Sequence, residues 1–442
     1  MNTMSSIKQP QVAVIGAGCA GLAAGTRLTE NGIRVTLIEA SPTLGGRARG
    51  FNWKGLALDN GQHILLGAYR ETLRQLTLAG IREQDVLMRL PLQLAMLPHF
   101  DLQTSTHLPA PLHMLAGLMT AKGLTTTERL AVVRLMIWAQ LKQFKLKQDQ
   151  PLATLFKAHS QPQRVIEWLW EPLCLAALNT PVNEASAQIF LNVLRDSFTG
   201  SRHDCDMLLP KVDLTTMLGT PLAEYIRQKG GEVLQHTPID KITLCGTRSG
   251  NQEFVVSGKG FEQSFSHVIL AVSPFRLAPL LEGFEGLGAL KQQVAKLTYQ
   301  PIYTVYLQYA AEAALPRPMT GLTGTYSQWV FDRGQLYGQK NLLAVVISAN
   351  GTHQSITMET LAVKVVEELQ HAFPYLPTVL WHKVVAEKRA TFACTPLLAR
   401  PAMMTPIQNL LIAGDYVAGD YPATIEGAMR SGRSCADAIL SQ

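Results

Sequence analysis

The sequence predicts an α/β protein: a discontinuous Rossmann-type nucleotide-binding domain with an interleaved, mixed α+β second domain. Three observations predict it. A strand–helix–strand unit with a glycine-rich turn opens the chain, a strand, glycine turn and helix close it, and long helical and mixed segments separate the two. The 442 residues also exceed what one hydrophobic core usually organises, so two domains are expected.

The elements follow in order. Residues 11–16 (QVAVIG) form a short apolar run ending in glycine, the signature of a strand buried on both faces. Residues 19–31 carry helical spacing, with Gly32 placed to end the helix. Residues 34–39 (RVTLIE) read as a second strand, completing a βαβ unit of about 30 residues. The segment 90–150 is rich in Leu, Met and Ala and reads as helical. Within it, Thr125 and Glu128 make a capping-box pattern ahead of Leu130, Val133, Ile137 and Leu141 at helical spacing, and 110–119 reads as an earlier helix. Residues 151–201 continue helical. Strands are expected at 231–235, 239–244, 254–256, 268–272, 299–309, 329–331, 342–348 and 381–392, an amphipathic helix at 359–373, a last strand at 410–413 and a helix from Thr424. The expected division is a nucleotide-binding domain from 1–88, 205–285 and 400–442, and a substrate domain from 89–204 and 286–399.

Composition excludes several classes. Charged residues make up 16%, against about 25% in an average soluble domain. Hydrophobic residues reach 47%, which supports a large core and excludes a disordered chain. The net charge of +6 is dispersed, and no basic block, RNA-binding motif or zinc-finger spacing points to nucleic acid. Six cysteines without a C-x-x-C pair read as reduced, buried thiols of a cytoplasmic protein. The first ten residues lack the apolar core of a signal peptide, and no apolar run is long enough to span a bilayer. Membrane contact is therefore expected to be peripheral. The segment 90–150, with six Lys/Arg against three acids, either dips into the inner face of the cytoplasmic membrane or caps the substrate domain as a helical pair.

Gly16, Gly18 and Gly21, with Ala17, Cys19 and Ala20 between them, form G-x-G-x-x-G between a strand and a helix. The first glycine makes the tight turn, the second admits a pyrophosphate, and the third lets helix and strand pack. Glu39, followed by Ala40, ends the second strand, where a carboxylate grips a ribose diol. The motif alone does not separate NAD from FAD.

The segment Leu44, Gly45, Gly46, Arg47, Ala48, Arg49 does. It resembles the GG motif of the flavoprotein superfamily that includes amine oxidases and phytoene desaturases, in which it meets the FAD pyrophosphate. Gly414 and Asp415 after the last strand, and Thr424, Ile425, Glu426, Gly427 and Ala428 opening the last helix, are similar to that superfamily's ribityl-contacting pair and flavin-facing helix. Reduced flavin gathers negative charge, which a helix N-terminus favours. Asp59, Asn60, Gly61, Gln62 and His63 with Gly67 and Tyr69, then Trp170 to Cys174, Ala177 to Pro181, Phe190 to Asp196 and Tyr421 to Gly427 resemble one branch, the hydroxysqualene dehydroxylases. The likeness runs along nearly the whole chain.

That resemblance implies FAD held by Gly16, Gly18, Cys19, Ala20, Gly21, Glu39, Ala40, Gly45, Gly46, Arg47, Asn60, Gly61, Gln62, Ile239, Gly414, Asp415, Thr424, Ile425, Glu426 and Ala428. It implies reduction of hydroxysqualene to squalene in squalene or hopanoid synthesis, with an unidentified electron donor reloading the flavin. The substrate is an allylic alcohol, so the protein must supply an acid, hold the C–OH over the flavin and exclude water. His63, Asp59 and Gln62 are the candidates beside the flavin; Asp59 and His63 either act there or brace the turn. Arg195 and Asp196 either serve the substrate domain or form a structural ion pair. A long apolar isoprenoid needs a tunnel, for which Trp168, Trp170, Phe198, Tyr303, Tyr306 and Trp329 are the aromatic candidates. No metal-ligand pattern stands among the histidines. The alternatives are a carotenoid-type desaturase of a C30 or C40 isoprenoid, a flavin amine oxidase, and a non-enzymatic prenyl-lipid escort. Product analysis separates the desaturase from the dehydroxylase: a coloured polyene for one, squalene for the other.

Overall fold

The opening unit forms where the pattern places it, with strand Gln11–Ile15, helix Cys19–Glu30 and strand Arg34–Ile38. Val12, Ala13 and Val14 have no exposed surface, as a strand covered on both faces requires. In this computed structural model, residues 10–198, 200–246, 252–324 and 326–442 are described; the polar stretch 1–9 lies outside them.

These two strands belong to a five-stranded parallel sheet in the order Glu232–Leu234, Arg34–Ile38, Gln11–Ile15, His267–Leu270, Leu410–Ile412. The sheet thus draws on segments spread over most of the chain. The helix Cys19–Glu30 packs beside it, against the closing helix Ile425–Leu440. A separate antiparallel sheet joins Ile239–Gly246, Gln252–Gly258 and Phe261–Phe265.

The second large sheet has seven strands in the order Val379–Phe392, Tyr299–Tyr309, Leu342–Ser348, Trp329–Asp332, Met319–Leu322, Gln93–Leu97, Phe100–Gln103. Its pairs are antiparallel except Met319–Leu322 with Gln93–Leu97. Leu342–Ser348 is buried throughout, as the central position of such a sheet demands. On one face lies the amphipathic helix Met358–Ala372.

This sheet corrects the reading of 90–150 as uniformly helical. Its first part is a hairpin in which Leu94, Met96, Phe100 and Leu102 are buried at alternate positions, so period-two patterning outweighs a helix-rich composition. Helices follow at Leu112–Thr120 and Thr126–Leu141, the latter with the predicted capping box: Glu128 N donates to Thr125 Oγ1 at 3.3 Å and Thr125 N to Glu128 Oε2 at 2.7 Å. The expected helical stretch after 150 is broken into Leu152–Ala158, a π-turn at Ile166–Trp170, Glu171–Leu178 and Ala187–Phe198. All six cysteines are free; five are buried, but Cys245 is exposed on a sheet strand. Among the described residues no helix is long and apolar enough to cross a membrane.

Candidate active site

The glycine turn sits at the C-terminal end of the central strand, where an open parallel sheet places ligands. Gly16 has φ of +103°, and a Cβ there would stand 2.5 Å from the Ala271 carbonyl oxygen, so the turn excludes any side chain. Gly18 begins the helix Cys19–Glu30 without a side-chain cap, leaving first-turn N–H groups free for an anion. Cys19 and Ala20 are buried in that turn, the Cys19 thiol pushed up to about 12 by burial. Gly45 N donates to Ala17 O at 2.9 Å, and Gly46 (φ +63°) would bring a Cβ within 3.1 Å of Gly18 Cα. The two glycine segments thus form one bare backbone cradle. Glu39 closes it, its carboxylate accepting from Ala17 N at 2.7 Å and Ser41 N at 2.8 Å; Ala40 lies exposed between them.

The opposite end is charged. Arg47 Nη2 meets Asp415 Oδ1 at 2.6 Å and Arg47 Nη1 donates to Ala390 O at 2.7 Å. A shallow cleft runs beside them, past Ser273 and Tyr416. Gly414 N donates to Ser431 Oγ at 3.0 Å, fixing the last glycine turn on the closing helix. Thr424 caps that helix, its Oγ1 accepting from Gly427 N at 3.0 Å, while Ile425 starts the first turn and Ala428 N bonds to Thr424 O. A side-chain-free cradle, a carboxylate beside it and two helix N-termini fit a dinucleotide with a pyrophosphate.

Two of the expected contact residues also have places in the protein's own framework. Glu426 has no exposed surface, and its carboxylate accepts from Glu71 N (3.0 Å), Thr72 N (2.9 Å) and Thr72 Oγ1 (2.8 Å). It is a remote N-terminal cap for the helix Arg70–Leu78. Ile239 is a half-buried residue at the start of a strand in the three-stranded sheet.

Asp59, Gln62 and His63 are likewise braced. Asp59 is 1% exposed and receives hydrogen bonds from Leu214 N (2.9 Å) and Tyr337 Oη (3.3 Å), with Arg333 Nη1 at 3.6 Å. Arg333, itself fully buried, donates to Gln62 Oε1 at 2.8 Å and Ala57 O at 2.9 Å and lies 3.6 Å over the Tyr337 ring. Tyr306 Oη donates to Asp59 O at 2.8 Å. Burial outweighs Arg333 here and raises the Asp59 carboxyl to about 6. Asn60 Nδ2 bonds to Glu387 Oε2 at 3.2 Å, and Gly61 O lies 2.6 Å from His63 Nδ1. Burial depresses His63 to about 4, so at neutral pH it is uncharged, with Nδ1–H on the carbonyl.

Beside this network opens a cavity of about 990 Å³, counting its mouth. Its wall is mostly Leu, Ile, Val, Ala, Met and aromatic side chains, and it reaches Ile64 next to His63 and Thr424 at the closing helix. Of the aromatic candidates, Phe198 and Trp329 line it. The others lie elsewhere, for separate reasons. Trp168 stacks on His99 and Arg164; Trp170 donates to Gln161 Oε1 at 2.9 Å and packs on Phe156 and Phe190. Tyr303 packs on His353 across the large sheet, and Tyr306 serves Asp59.

One polar corner interrupts the cavity wall. Tyr421 Oη donates to Asp196 Oδ2 at 2.7 Å, and Arg195 Nε donates to Asp196 Oδ1 at 2.7 Å. Arg430 stands 4.2 Å over the Tyr421 ring, and burial together with Asp196 holds the phenol well above its usual range. The sequence leaves Asp196 open between a role in the substrate domain and an ion pair, and offers Tyr421 only within a motif. Sequence reasoning misses Arg333, whose partner Gln62 is 271 positions away and gives no local signal.

Comparison with known proteins decides the family. The model of the flavin-containing amine oxidoreductases matches residues 19–440. The chain belongs to this family. It is an FAD-dependent oxidoreductase. The chain is 29% identical to the hydroxysqualene dehydroxylase of Rhodopseudomonas palustris, over 97% of this chain and 98% of that one. It is 27% identical to that of Zymomonas mobilis over 97% and 98%. The 15-cis-phytoene desaturase of Solanum lycopersicum is 25% identical over 98% of this chain and 78% of its own. Among solved structures, an oxidoreductase from Methanosarcina mazei matches with a TM-score of 0.76 at 16% identity, covering 98% of this chain and all of its own. Putrescine oxidase with bound putrescine matches with a TM-score of 0.70 at 16% identity over 98% and 100%. These two share the fold.

Proposed function

We propose that this enzyme reduces hydroxysqualene to squalene and water, oxidising FADH2 to FAD. The observation that carries the reading is the cavity of about 990 Å³, apolar along its wall yet holding the Asp196–Tyr421 pair in one corner. A long hydrocarbon bearing a single hydroxyl matches such a wall. The dehydroxylase relatives, alike over almost their whole length, point the same way.

Reduced FAD supplies the hydride. The chain's own residues do the rest. Gly16, Gly18, Gly45 and Gly46 admit the cofactor's pyrophosphate, and Glu39 takes the ribose. Asp196 accepts a hydrogen bond from the substrate hydroxyl through a remaining lone pair, since Arg195 and Tyr421 each occupy a different oxygen. Tyr421, kept protonated by burial, turns its hydroxyl from Asp196 to the substrate oxygen and delivers its proton as that oxygen departs as water; the proton that reduced FAD would give up beside its hydride restores the phenol. The apolar wall excludes bulk water from the allylic cation left behind. His63, uncharged at neutral pH, and Asp59, engaged with Arg333, support the floor of the site. The reading includes a cytoplasmic enzyme taking its substrate from the inner face of the membrane, with FAD reloaded by a separate donor.

The test is anaerobic. Purified FAD-loaded protein is reduced and mixed with hydroxysqualene, and product and flavin absorbance are followed together. Squalene formed in step with flavin oxidation supports the reading. Flavin that stays reduced overturns it. A polyene formed by the oxidised enzyme from a saturated precursor moves the assignment to the desaturases.

A further inference from the structure

An unexplained apolar surface lies on the two helices after the first hairpin of the large sheet. The helix Thr126–Leu141 buries Ala131, Val132, Leu135 and Ala139 against the core, which satisfies its inner face. Its outer face is nevertheless apolar as well: Leu130 is 54% exposed, Ile137 53% and Leu141 79%. They recur at i, i+7 and i+11, one stripe with Arg134 between them. The neighbouring helix Leu112–Thr120 repeats the pattern, with Leu112, Leu115 and Met119 exposed at i, i+3 and i+7. A surface helix with one side on the core has no structural need of a second apolar stripe.

Charge surrounds this face with one sign. Lys122, Arg134, Lys142, Lys145 and Lys147 are exposed, and among the described residues none of them forms a salt bridge. The acid between 105 and 147 is Glu128, which is buried in the capping box. The face also backs onto the cavity. On the inner side of Leu112–Thr120, His113 Nε2 lies 3.2 Å from Cys205 Sγ, and Cys205 lines the cavity.

We infer that this two-helix face docks on an anionic phospholipid bilayer. The apolar stripes enter the acyl boundary, and the lysines at the end of the second helix meet headgroup phosphates. Neither helix is long enough to cross, so the enzyme lies on the membrane. The inference rests on the proposed function for its purpose, delivery of an apolar substrate to the cavity behind the face. Its evidence, exposure and charge, stands apart from the reaction.

The experiment uses the full-length, FAD-loaded protein and flotation with extruded vesicles. One set is phosphatidylglycerol mixed with phosphatidylcholine, the other phosphatidylcholine alone. The expected result is binding to the anionic vesicles that weakens with salt, with little binding to the neutral ones. The variant Leu130→Gln/Ile137→Gln/Leu141→Gln lowers the partition coefficient at least about tenfold, and Lys142→Gln/Lys145→Gln/Lys147→Gln does so on anionic vesicles alone. Flavin absorbance and the melting temperature report that each variant is folded, and Leu380→Gln, exposed on the large sheet, leaves binding intact. No binding by the wild-type protein overturns the inference, as does binding that survives the triple leucine-stripe variant. Self-association abolished by that variant, without vesicle binding, assigns the face to a second copy of the chain and overturns it too. Vesicle binding is measured without turnover, so failure here and failure of the dehydroxylase assay are separate results.

Discussion

Arg333→Met is the most informative single substitution in the buried network beneath the site. Arg333 has no exposed surface and is within 3.6 Å of Asp59, while Gln62 Oε1 and Ala57 O accept from it at 2.8 and 2.9 Å. Removing one partner of a buried ion pair costs about 3–5 kcal/mol, because the other charge stays buried without compensation. Gln62 Oε1 and Gln339 Oε1 also lose a donor, each worth about 1–3 kcal/mol when left unpaired, while Ala57 O keeps the one from Gln339 Nε2. These terms overlap, and Asp59 escapes part of the cost by taking up a proton, since its carboxyl already stands at about 6 and loses its main stabilising charge. The expected loss is therefore about 4 kcal/mol, a large share of the roughly 5–15 kcal/mol that holds a typical domain. Adding Asp59→Leu removes the stranded carboxyl, so the double variant regains at least about 1 kcal/mol over the single one. The assay is urea denaturation of the FAD-loaded protein, followed by far-UV circular dichroism and flavin fluorescence to separate domain steps. A loss under about 1 kcal/mol, or a double variant no more stable than Arg333→Met, refutes the account of Arg333 as the charge that makes Asp59 tolerable.

Three further outcomes are expected. Glu39→Ala strips the carboxylate from Ala17 N and Ser41 N and weakens FAD binding by roughly 10- to 100-fold, read by ultrafiltration and flavin absorbance; unchanged affinity removes Glu39 from the cofactor site. Tyr421→Phe lowers the single-turnover rate by about 10²–10⁴ with KM and the flavin spectrum little changed, and a wild-type rate returns the proton donor to another group. His63 stands at about 4 in the folded state, below its ordinary value, so it favours folding above about pH 6.5 and its contribution is lost as pH falls toward 4. Asp59, raised to about 6, has the opposite sign and destabilises as pH rises through the same window. His63→Gln therefore leaves a stability that declines from pH 4 to 6, measured by urea midpoints; a variant whose midpoint still rises over that interval contradicts the assignment.

The parts legible in the sequence are those whose cause is local. The turn after Gln11–Ile15 needs glycine because of its backbone, and the helix Thr126–Leu141 announces itself by its own Thr125 and Glu128. The hairpin at Gln93–Leu97 and Phe100–Gln103 was hidden because Leu, Met and Ala favour helices in isolation, whereas pairing with Met319–Leu322 decides the outcome. Glu426 stands in a motif that implies a cofactor contact, and nothing in that motif announces the bonds its carboxylate makes to Glu71 and Thr72, more than 350 positions away. The same holds for the aromatic residues. Nothing along the chain separates Trp170, locked between Phe156 and Phe190, from Trp329, which faces the cavity.

The sheet beneath the cofactor cradle has a consequence for biosynthesis. Its strand His267–Leu270 lies between Gln11–Ile15 and Leu410–Ile412, so one of its edges stays bare until the end of the chain has been made. The helix Arg70–Leu78 likewise waits for Glu426 to satisfy its first turn. A nascent chain thus carries an unfinished apolar sheet until Leu410–Ile412 has been made. A bare strand edge of this kind invites pairing with other chains, so the interval before it is covered is the one in which aggregation competes with folding.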